Sequence, residues 1–387
     1  MTIKILHGNC INKLKTIADK TFHTCVTSPP YWGLRDYGED DQLGLEETPQ
    51  EYVANMVQVF RKVRRVLRDD GTLWLNLGDS YHRIGSDQPT QRGKLNTKNI
   101  NERYGWDKSH KSKNINLKPK DLVGIPWRVA FALQEDGWYL RQDIIWNKPN
   151  PMPESVKDRC TKSHEYIFLF SKSKNYYFDN ESIKIKAINP NILYKAHKSG
   201  KNISEQKFNE TKVGRNSILI GEKVQKRSVW TVTTKPYKEA HFATYPPDLI
   251  EPCILAGCPD KVCKSCGTPY EKIYDSKKIK RNELDPKDSR YRPNNYEGAY
   301  KDINGKGDAG YNITDFVGYK QQCNCTTKET EGGHVLDPFG GSGTTALVAD
   351  RLGRNATLIE LNKSYVDIIN NRLKADNSLF MEIVNDN

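Results

Sequence analysis

Apolar residues recur along the chain with two alternating periods. Ile3–Leu6 and Thr24–Ser28 read as short strands, and Thr72–Leu77 (TLWLNL) as a strand buried on both faces. Between them, Val53, Met56, Val57, Phe60, Val63 and Leu67 fall on one face of a helix over 51–67, which Asp69-Asp70-Gly71 is expected to stop. A helix follows over 125–134, with Pro126 in its first turn. Trp138–Trp146 and Tyr166–Phe170 are expected strands, and core-like sequence returns over 229–258. The last segment reads strand 334–336, glycine-rich loop 337–343, helix 344–352, strand 356–361 and helix 363–374. This alternation predicts an α/β fold with a doubly wound, mostly parallel sheet covered by helices.

Three stretches break the pattern. Residues 85–120 and 172–228 are polar and rich in Lys and Arg, and 263–330 is a polar insertion carrying cysteines. They divide the core into 1–84, 121–171, 229–262 and 331–387. Tyr176, Tyr177, Phe178 and Tyr194 punctuate the second basic stretch. Basic charge mixed with aromatics fits nucleic-acid contact, and a solvated insertion fits as well.

The chain of 387 residues carries a net charge of +12, which favours a polyanionic partner. No run approaches the ~20 apolar residues of a membrane span, and the N-terminus lacks the apolar core of a signal peptide, so a cytoplasmic protein is expected. In that compartment the nine cysteines read as thiols or metal ligands rather than disulfides.

The stretch Thr27-Ser28-Pro29-Pro30-Tyr31-Trp32 ends the second strand. Two prolines fix the backbone, so the carbonyls point in set directions, and Tyr31 and Trp32 offer flat faces. Rigid acceptors beside a stacking face suit a flipped-out base bearing an amino group; a tight turn after a core strand is the alternative. In the second loop, Gly341 and Gly343 allow a ligand to approach the backbone at a helix start, and Glu360 ends the next strand, where nucleotide-binding folds hold ribose hydroxyls. Asp79 ends an expected parallel strand and could line a site there or cap a helix. Asp36 could join the base pocket or pair with Arg35. Cys263-x-x-Cys266 and Cys323-x-Cys325 could form a four-thiolate zinc site stapling an insertion with little core, with Cys258 as an alternative ligand, or could be free thiols. Cys10, Cys25, Cys160 and Cys253 read as buried structural thiols.

The pair TSPPYW and VLDPFGGSGTT resembles the amino-methyltransferases of DNA, as do HGNCINKLKTI and His241–Pro259. The resemblance covers roughly two thirds of the chain. It implies a seven-stranded, class I S-adenosylmethionine-dependent fold, circularly permuted so that the catalytic motif precedes the cofactor motif. It places Ser28, Pro29, Pro30 and Tyr31 in catalysis, with Trp32, Asp36 and Asp79 as further base-pocket candidates. It assigns Asp337, Phe339, Gly340, Gly341, Ser342, Gly343 and Thr344 to the methionine end of the cofactor and Glu360 to its ribose. It implies double-stranded DNA as substrate, and a cognate restriction endonuclease as a possible partner. Ser before the prolines is more typical of cytosine-N4 enzymes, with adenine N6 as the alternative. A non-catalytic nucleic-acid-binding protein on the same fold, and an enzyme acting on RNA or glutamine amides, are the other readings.

Overall fold

The computed structural model describes residues 1–34, 36, 38–39, 41–82, 117–186, 193–195, 217–219, 223–235, 237, 244–279, 281–283, 286, 311–376 and 382–386. The described chain divides into two compact units. One comprises 1–183, 226–267 and 327–387, the other 184–225 and 268–326. Most of the expected basic loop 85–120 lies outside the described residues.

The first unit is built on one sheet. Its strands are β1 (Thr2–His7), β2 (Phe22–Thr27), β3 (Leu67–Leu77), β4 (Tyr139–Asn147), β5 (His164–Ser171), β6 (Val229–Thr231), β7 (His334–Asp337), β8 (Asn355–Glu360) and β9 (Glu382–Asp386). Their spatial order is β6-β4-β5-β3-β2-β7-β8-β1-β9. Every neighbouring pair is parallel except those made by β5, which runs against both β3 and β4. Nine strands replace the expected seven. The additions are the two edges, where the three residues of β6 and the polar run of β9 are too short or too hydrophilic to announce a strand.

The helices are α1 (Cys10–Thr16), α2 (Pro49–Val66), α3 (Ile125–Glu135), α4 (Pro247–Gly257), α5 (Thr344–Arg351) and α6 (Lys363–Ala375). Two hydrophobic clusters cover the two faces of the sheet. Leu14, Met56, Phe60 and Val129 from α1–α3 pack against Leu73, Leu75 and Phe168. Ile254, Leu347 and Ile369 from α4–α6 pack against Val26, Trp74 and Leu358. Covered on both faces, β2 is buried at every position, which is why its sequence shows no alternation.

Thr48 caps α2 in a capping box with Glu51, so the helix starts at Pro49. Its buried face runs through Tyr52, Met56, Val59, Phe60, Val63 and Val66; Val53 and Val57 lie at the rim. Asp69-Asp70-Gly71 does not separate helix from strand as expected. Strand β3 begins at Leu67, directly after α2, and the three residues lie where the register with β2 shifts between Phe22 and Thr24. Tyr176, Tyr177 and Phe178 belong to the first unit, with Phe178 still partly exposed. Phe178 stacks on Trp74 at 6.2 Å, Arg141 Nε donates to Tyr176 Oη at 3.1 Å, and the Tyr177 amide bonds the Asp70 carbonyl.

In the second unit, Glu271–Ile279 and Tyr311–Lys320 form an antiparallel hairpin, with Phe316 edge-on to Tyr274 and Tyr319. Two short antiparallel pairs, 185–186 with 223–224 and 193–195 with 217–219, complete what is described of it. Among the described residues, no helix is long and apolar enough to cross a membrane.

Candidate active site

Strands β2 and β7 are neighbours at the centre of the sheet, with Val335 opposite Thr24 and Leu336 opposite Cys25. Chain order reverses around β7, and ligands in such sheets bind outside the carboxyl ends of the strands at this switch. The two motifs therefore emerge side by side although some 300 residues separate them.

A buried carboxylate joins them. Asp337 is fully buried, and its Oδ1 accepts from Thr27 Oγ1 at 2.6 Å and from the Phe339 amide at 3.1 Å. Its Oδ2 accepts from Tyr245 Oη at 2.9 Å and Thr345 Oγ1 at 2.6 Å. Burial pushes this carboxyl up to about 6 against the pull of those four donors. All its bonds are spent inside the protein, so Asp337 fixes the two motifs rather than reaching the methionine end of a cofactor.

The Ser28–Tyr31 turn is held from several sides. Tyr52 Oη donates to the Pro30 carbonyl at 2.9 Å. Among the described residues nothing donates to the Pro29 carbonyl. Ser28 Oγ donates to Tyr31 Oη at 3.4 Å, and Tyr31 Oη lies 2.8 Å from Glu165 Oε2 and 3.2 Å from Asn76 Oδ1. Glu165 also pairs with Lys148. Burial and the neighbouring Glu165 carboxylate push the Tyr31 phenol well above its usual range, so it keeps its proton.

Trp32 does not offer a stacking face. It is 8% exposed, packed into the core, with its indole donating to the Glu46 carbonyl at 2.8 Å. Asp36 is exposed and accepts from the Gly38 amide at 2.8 Å; Arg35 lies outside the described residues. The Asp79 carboxylate accepts from the amides of Gly124 and Ile125 at 3.0 to 3.1 Å, capping the start of α3. It thus fulfils the structural alternative.

One side of the Tyr31 ring rests on Gly78. A Cβ there would stand 2.5 Å from Tyr31 Cε2. Gly78→Ala is expected to push the ring out of place and, for the activity the resemblance implies, to cut methyl transfer at least tenfold while the protein stays folded. Single-turnover assays beside circular dichroism check this; an unchanged rate contradicts it.

The glycine-rich loop has an open backbone. Gly341 has φ +51°, and a Cβ there would meet only the Phe339 carbonyl, at 3.8 Å. Gly343, φ +77°, caps α5 and packs on Ile369, where a Cβ would come within 2.9 Å. Gly340 bonds the Ile359 carbonyl through its amide. The side chains of Ser342 and Thr344 face the protein: both hydroxyls accept from Arg372 Nη1 at 2.9 Å. Arg372 Nη1 also bonds the Ser342 carbonyl at 3.0 Å. Glu360 Oε2 accepts from the Gly341 amide at 2.7 Å and Oε1 from the Asn362 amide at 2.9 Å. Burial pushes Glu360 up to about 7. An open glycine backbone beside a carboxylate, at the carboxyl edge of parallel strands, is a donor and acceptor set that fits a nucleoside carrying a polar tail.

Sequence reading missed Asn76, Lys148, Glu165, Tyr245 and Arg372. For Glu165 the missing fact is the reversal of β5. Its first residues lie beside the ends of β3 and β4, with His164 opposite Asn147 and Tyr166 opposite Leu77.

The cysteines of the two pairs fall in different units: Cys263, buried, and Cys266, exposed, in the first, and Cys323 and Cys325, both partly exposed, in the second. In the first pair, the Gly267 amide bonds the Cys263 carbonyl at 2.7 Å. His23 pins this turn. Its Nδ1 accepts from the His334 amide at 2.9 Å, so its Nε2 carries the proton donated to the Gly267 carbonyl at 2.8 Å. Burial holds that ring down at about 4, hence neutral. Cys258 is buried in the core. Cys10, Cys25 and Cys253 are buried as expected, whereas Cys160 is exposed.

Fold and site together define a class I methyltransferase-type protein with its two motifs in permuted order. The model of the DNA methylase family that groups N6 and N4 methyltransferases matches residues 22–262 and 323–371, and the chain belongs to that family. It is 37% identical over 371 residues to the Type II methyltransferase M.SmaI of Serratia marcescens, covering 96% of this chain and 90% of the relative. It is 35% identical over 381 residues to the Type II methyltransferase M.Cfr9I of Citrobacter freundii, covering 98% and 90%. Among solved structures, the cytosine-N4-specific PvuII DNA methyltransferase aligns with a TM-score of 0.50 at 14% identity, covering 100% of this chain and 95% of the other, a likeness of fold.

Proposed function

We propose that this DNA methylase transfers a methyl group from S-adenosylmethionine to the N4 amine of a cytosine flipped out of double-stranded DNA at a specific sequence. The observation that carries this reading is the 2.6 Å bond from Thr27 to Asp337, which locks the base-binding turn beside the glycine-rich loop. When bound, S-adenosylmethionine supplies an electrophilic methyl on a positively charged sulfur. The Gly341 backbone and Glu360 would hold it, the Glu360 carboxylate offering its remaining lone pairs to ribose hydroxyls.

An exocyclic amine is a poor nucleophile because its lone pair is delocalised into the ring. Ser28 Oγ and the Pro29 carbonyl accept hydrogen bonds from the two amine N–H groups and draw the nitrogen toward tetrahedral geometry. Ser28 directs its own proton to Tyr31, which leaves its lone pairs for the amine. Catalysis is then positioning plus electrostatics, with no enzyme nucleophile. Burial keeps Cys10 and Cys258 protonated, each pushed up to about 12, consistent with this. The choice of cytosine rests on Ser28 before the prolines. The Type II relatives support a paired restriction endonuclease that cuts the same sequence.

Binding of labelled S-adenosylmethionine, followed by methyl incorporation into DNA, RNA and peptide amides, tests this function. Label in DNA alone is expected; folded protein that binds no cofactor would sink the reading.

The same proposal assigns a structural zinc ion to Cys263, Cys266, Cys323 and Cys325. Four thiolates suit tetrahedral zinc at Zn–S of about 2.3 Å, and the chain offers them as two closely spaced pairs, Cys263-x-x-Cys266 and Cys323-x-Cys325. Purified protein is expected to hold one zinc per chain, and chelation to lower its melting temperature. Metal-free protein with an unchanged melting temperature contradicts the site.

A further inference from the structure

We infer that Ser28, Tyr31 and Glu165 form a path that carries the surplus proton from the methylated amine to the Glu165 carboxylate. The inference rests on the proposed function, because it needs an amine held against Ser28.

The chemistry creates the need. As the new C–N bond forms, the S–C bond breaks and its electron pair stays on sulfur. The amine nitrogen has then used its lone pair, carries a positive charge and holds one proton too many. That proton must leave before the neutral methylated base can return to the helix. Ser28 Oγ is the acceptor nearest the amine in this reading, yet a serine hydroxyl is too weak a base to keep a proton. It can only pass one on.

The geometry supplies the next two stations. Ser28 Oγ–H points to Tyr31 Oη at 3.4 Å, and Tyr31 Oη–H reaches Glu165 Oε2 at 2.8 Å. Hydrogen bonds of this kind are often long without substrate and tighten when it binds. The proton from nitrogen goes to Ser28 Oγ as the Ser28 proton goes to Tyr31 and the Tyr31 proton goes to Glu165. The path ends with neutral serine, neutral tyrosine and a protonated glutamic acid, so atoms and charge balance. The phenol must remain protonated to act as a relay, and its burial beside Glu165 ensures that.

Asn76 and Lys148 hold Glu165 beside the phenol, and the phenol's bond to Glu165 is shorter than its alternative bond to Asn76. Asn76 Oδ1 lies 3.2 Å from Tyr31 Oη, and Asn76 Nδ2 donates to the Tyr166 carbonyl at 3.0 Å. Lys148 pairs with the other Glu165 oxygen, while Oε2 accepts from the phenol at 2.8 Å and, more weakly, from Asn76 Nδ2 at 3.4 Å. Lys148 is itself held over the Trp146 ring at 4.1 Å. The Glu165 side chain is 16% exposed, so after each turnover it can return its proton to water.

Tyr31→Phe keeps the ring and removes the relay. Glu165→Gln keeps the shape and removes the acceptor. Each is expected to slow single-turnover methyl transfer to duplex DNA about 100-fold, the usual scale for a proton-transfer group. Equilibrium binding of S-adenosylmethionine and of the duplex is expected to stay within about twofold of wild type, and the double variant to be no slower than the slower single one. Formate is expected to restore rate to Glu165→Ala but not to Tyr31→Phe/Glu165→Ala, a rescue that a packing role would not produce. Wild-type rates in both single variants, or losses that multiply in the double variant, or losses confined to binding, overturn the path. In those cases an inactive Ser28→Ala still upholds the site. A wild-type protein that methylates no DNA overturns the function itself and this path with it.

Discussion

Asp337→Ala is expected to remove about 5 kcal/mol of stability and all methyl transfer. The substitution leaves the hydroxyls of Thr27, Tyr245 and Thr345 and the Phe339 amide without their acceptor in a dry interior. Each stranded donor costs about 1–3 kcal/mol. Against this, the protein no longer keeps a carboxylate charged in the core. That relief is worth about 3 kcal/mol near neutral pH, since burial raises Asp337 from 3.8 to about 6. Loss exceeds relief, and a domain of this kind has about 5–15 kcal/mol to lose. Asp337→Asn keeps the shape and the two bonds of Oδ1, so it is expected to destabilise less. The pH dependence has a fixed sign. A carboxyl raised on folding contributes stability that is fully present below about pH 4 and lost as pH rises through about 6. Asp337→Asn removes that slope. Urea denaturation across this range reads both effects, and an Asp337→Ala midpoint equal to wild type contradicts the role given to Asp337.

Cofactor affinity is expected to fall about tenfold for each pH unit below 7, and Glu360→Gln to be weaker by about 100-fold at pH 8 and free of that dependence. Burial pushes Glu360 up to about 7, so half of its carboxyl is protonated there without ligand. In the proposed function, ribose hydroxyls donate to the ionised form, and acid therefore competes with the cofactor. Stability runs the other way: the raised carboxyl favours folding below about pH 4.5 and loses that contribution as pH rises through about 7. The site thus gives up stability at the pH where it is expected to bind best. Calorimetric titration of S-adenosylmethionine from pH 5 to 8 separates Glu360 from the ligand's own amine when wild type is compared with Glu360→Gln. Parallel curves for the two proteins contradict the assignment.

Much of this was legible in the sequence. Periodicity located the strands and helices of the core because burial on both faces leaves continuous apolar runs, as in β2 and in TLWLNL of β3. The two motifs were legible because prolines and glycines mark backbone constraints directly. Edge strands were not, since β6 and β9 gain their pairing from neighbours rather than from pattern. Roles decided by long-range contact were also hidden. Asp337 sits in a motif that sequence links to a ligand, yet Tyr245 and Thr27 consume its oxygens. Ser342 and Thr344 turn to Arg372 in α6, a helix whose sequence announces only an amphipathic surface. Trp32 looked like a stacking face and is core, because its indole finds the Glu46 carbonyl. Glu165 reaches the active edge only because β5 runs backwards, and strand direction is not written in a hydrophobic run.

The central claim is that Ser28, Pro29 and Tyr31 present a DNA base amine to a methyl donor held by the glycine-rich loop. Single-molecule sequencing of DNA from cells expressing the protein tests it most directly, with Ser28→Ala expressed in parallel. The account predicts N4-methylcytosine at one recurring sequence with the wild type and none with Ser28→Ala. Methylated adenine would correct the base, and unmodified DNA from cells holding folded, cofactor-binding protein would contradict the claim.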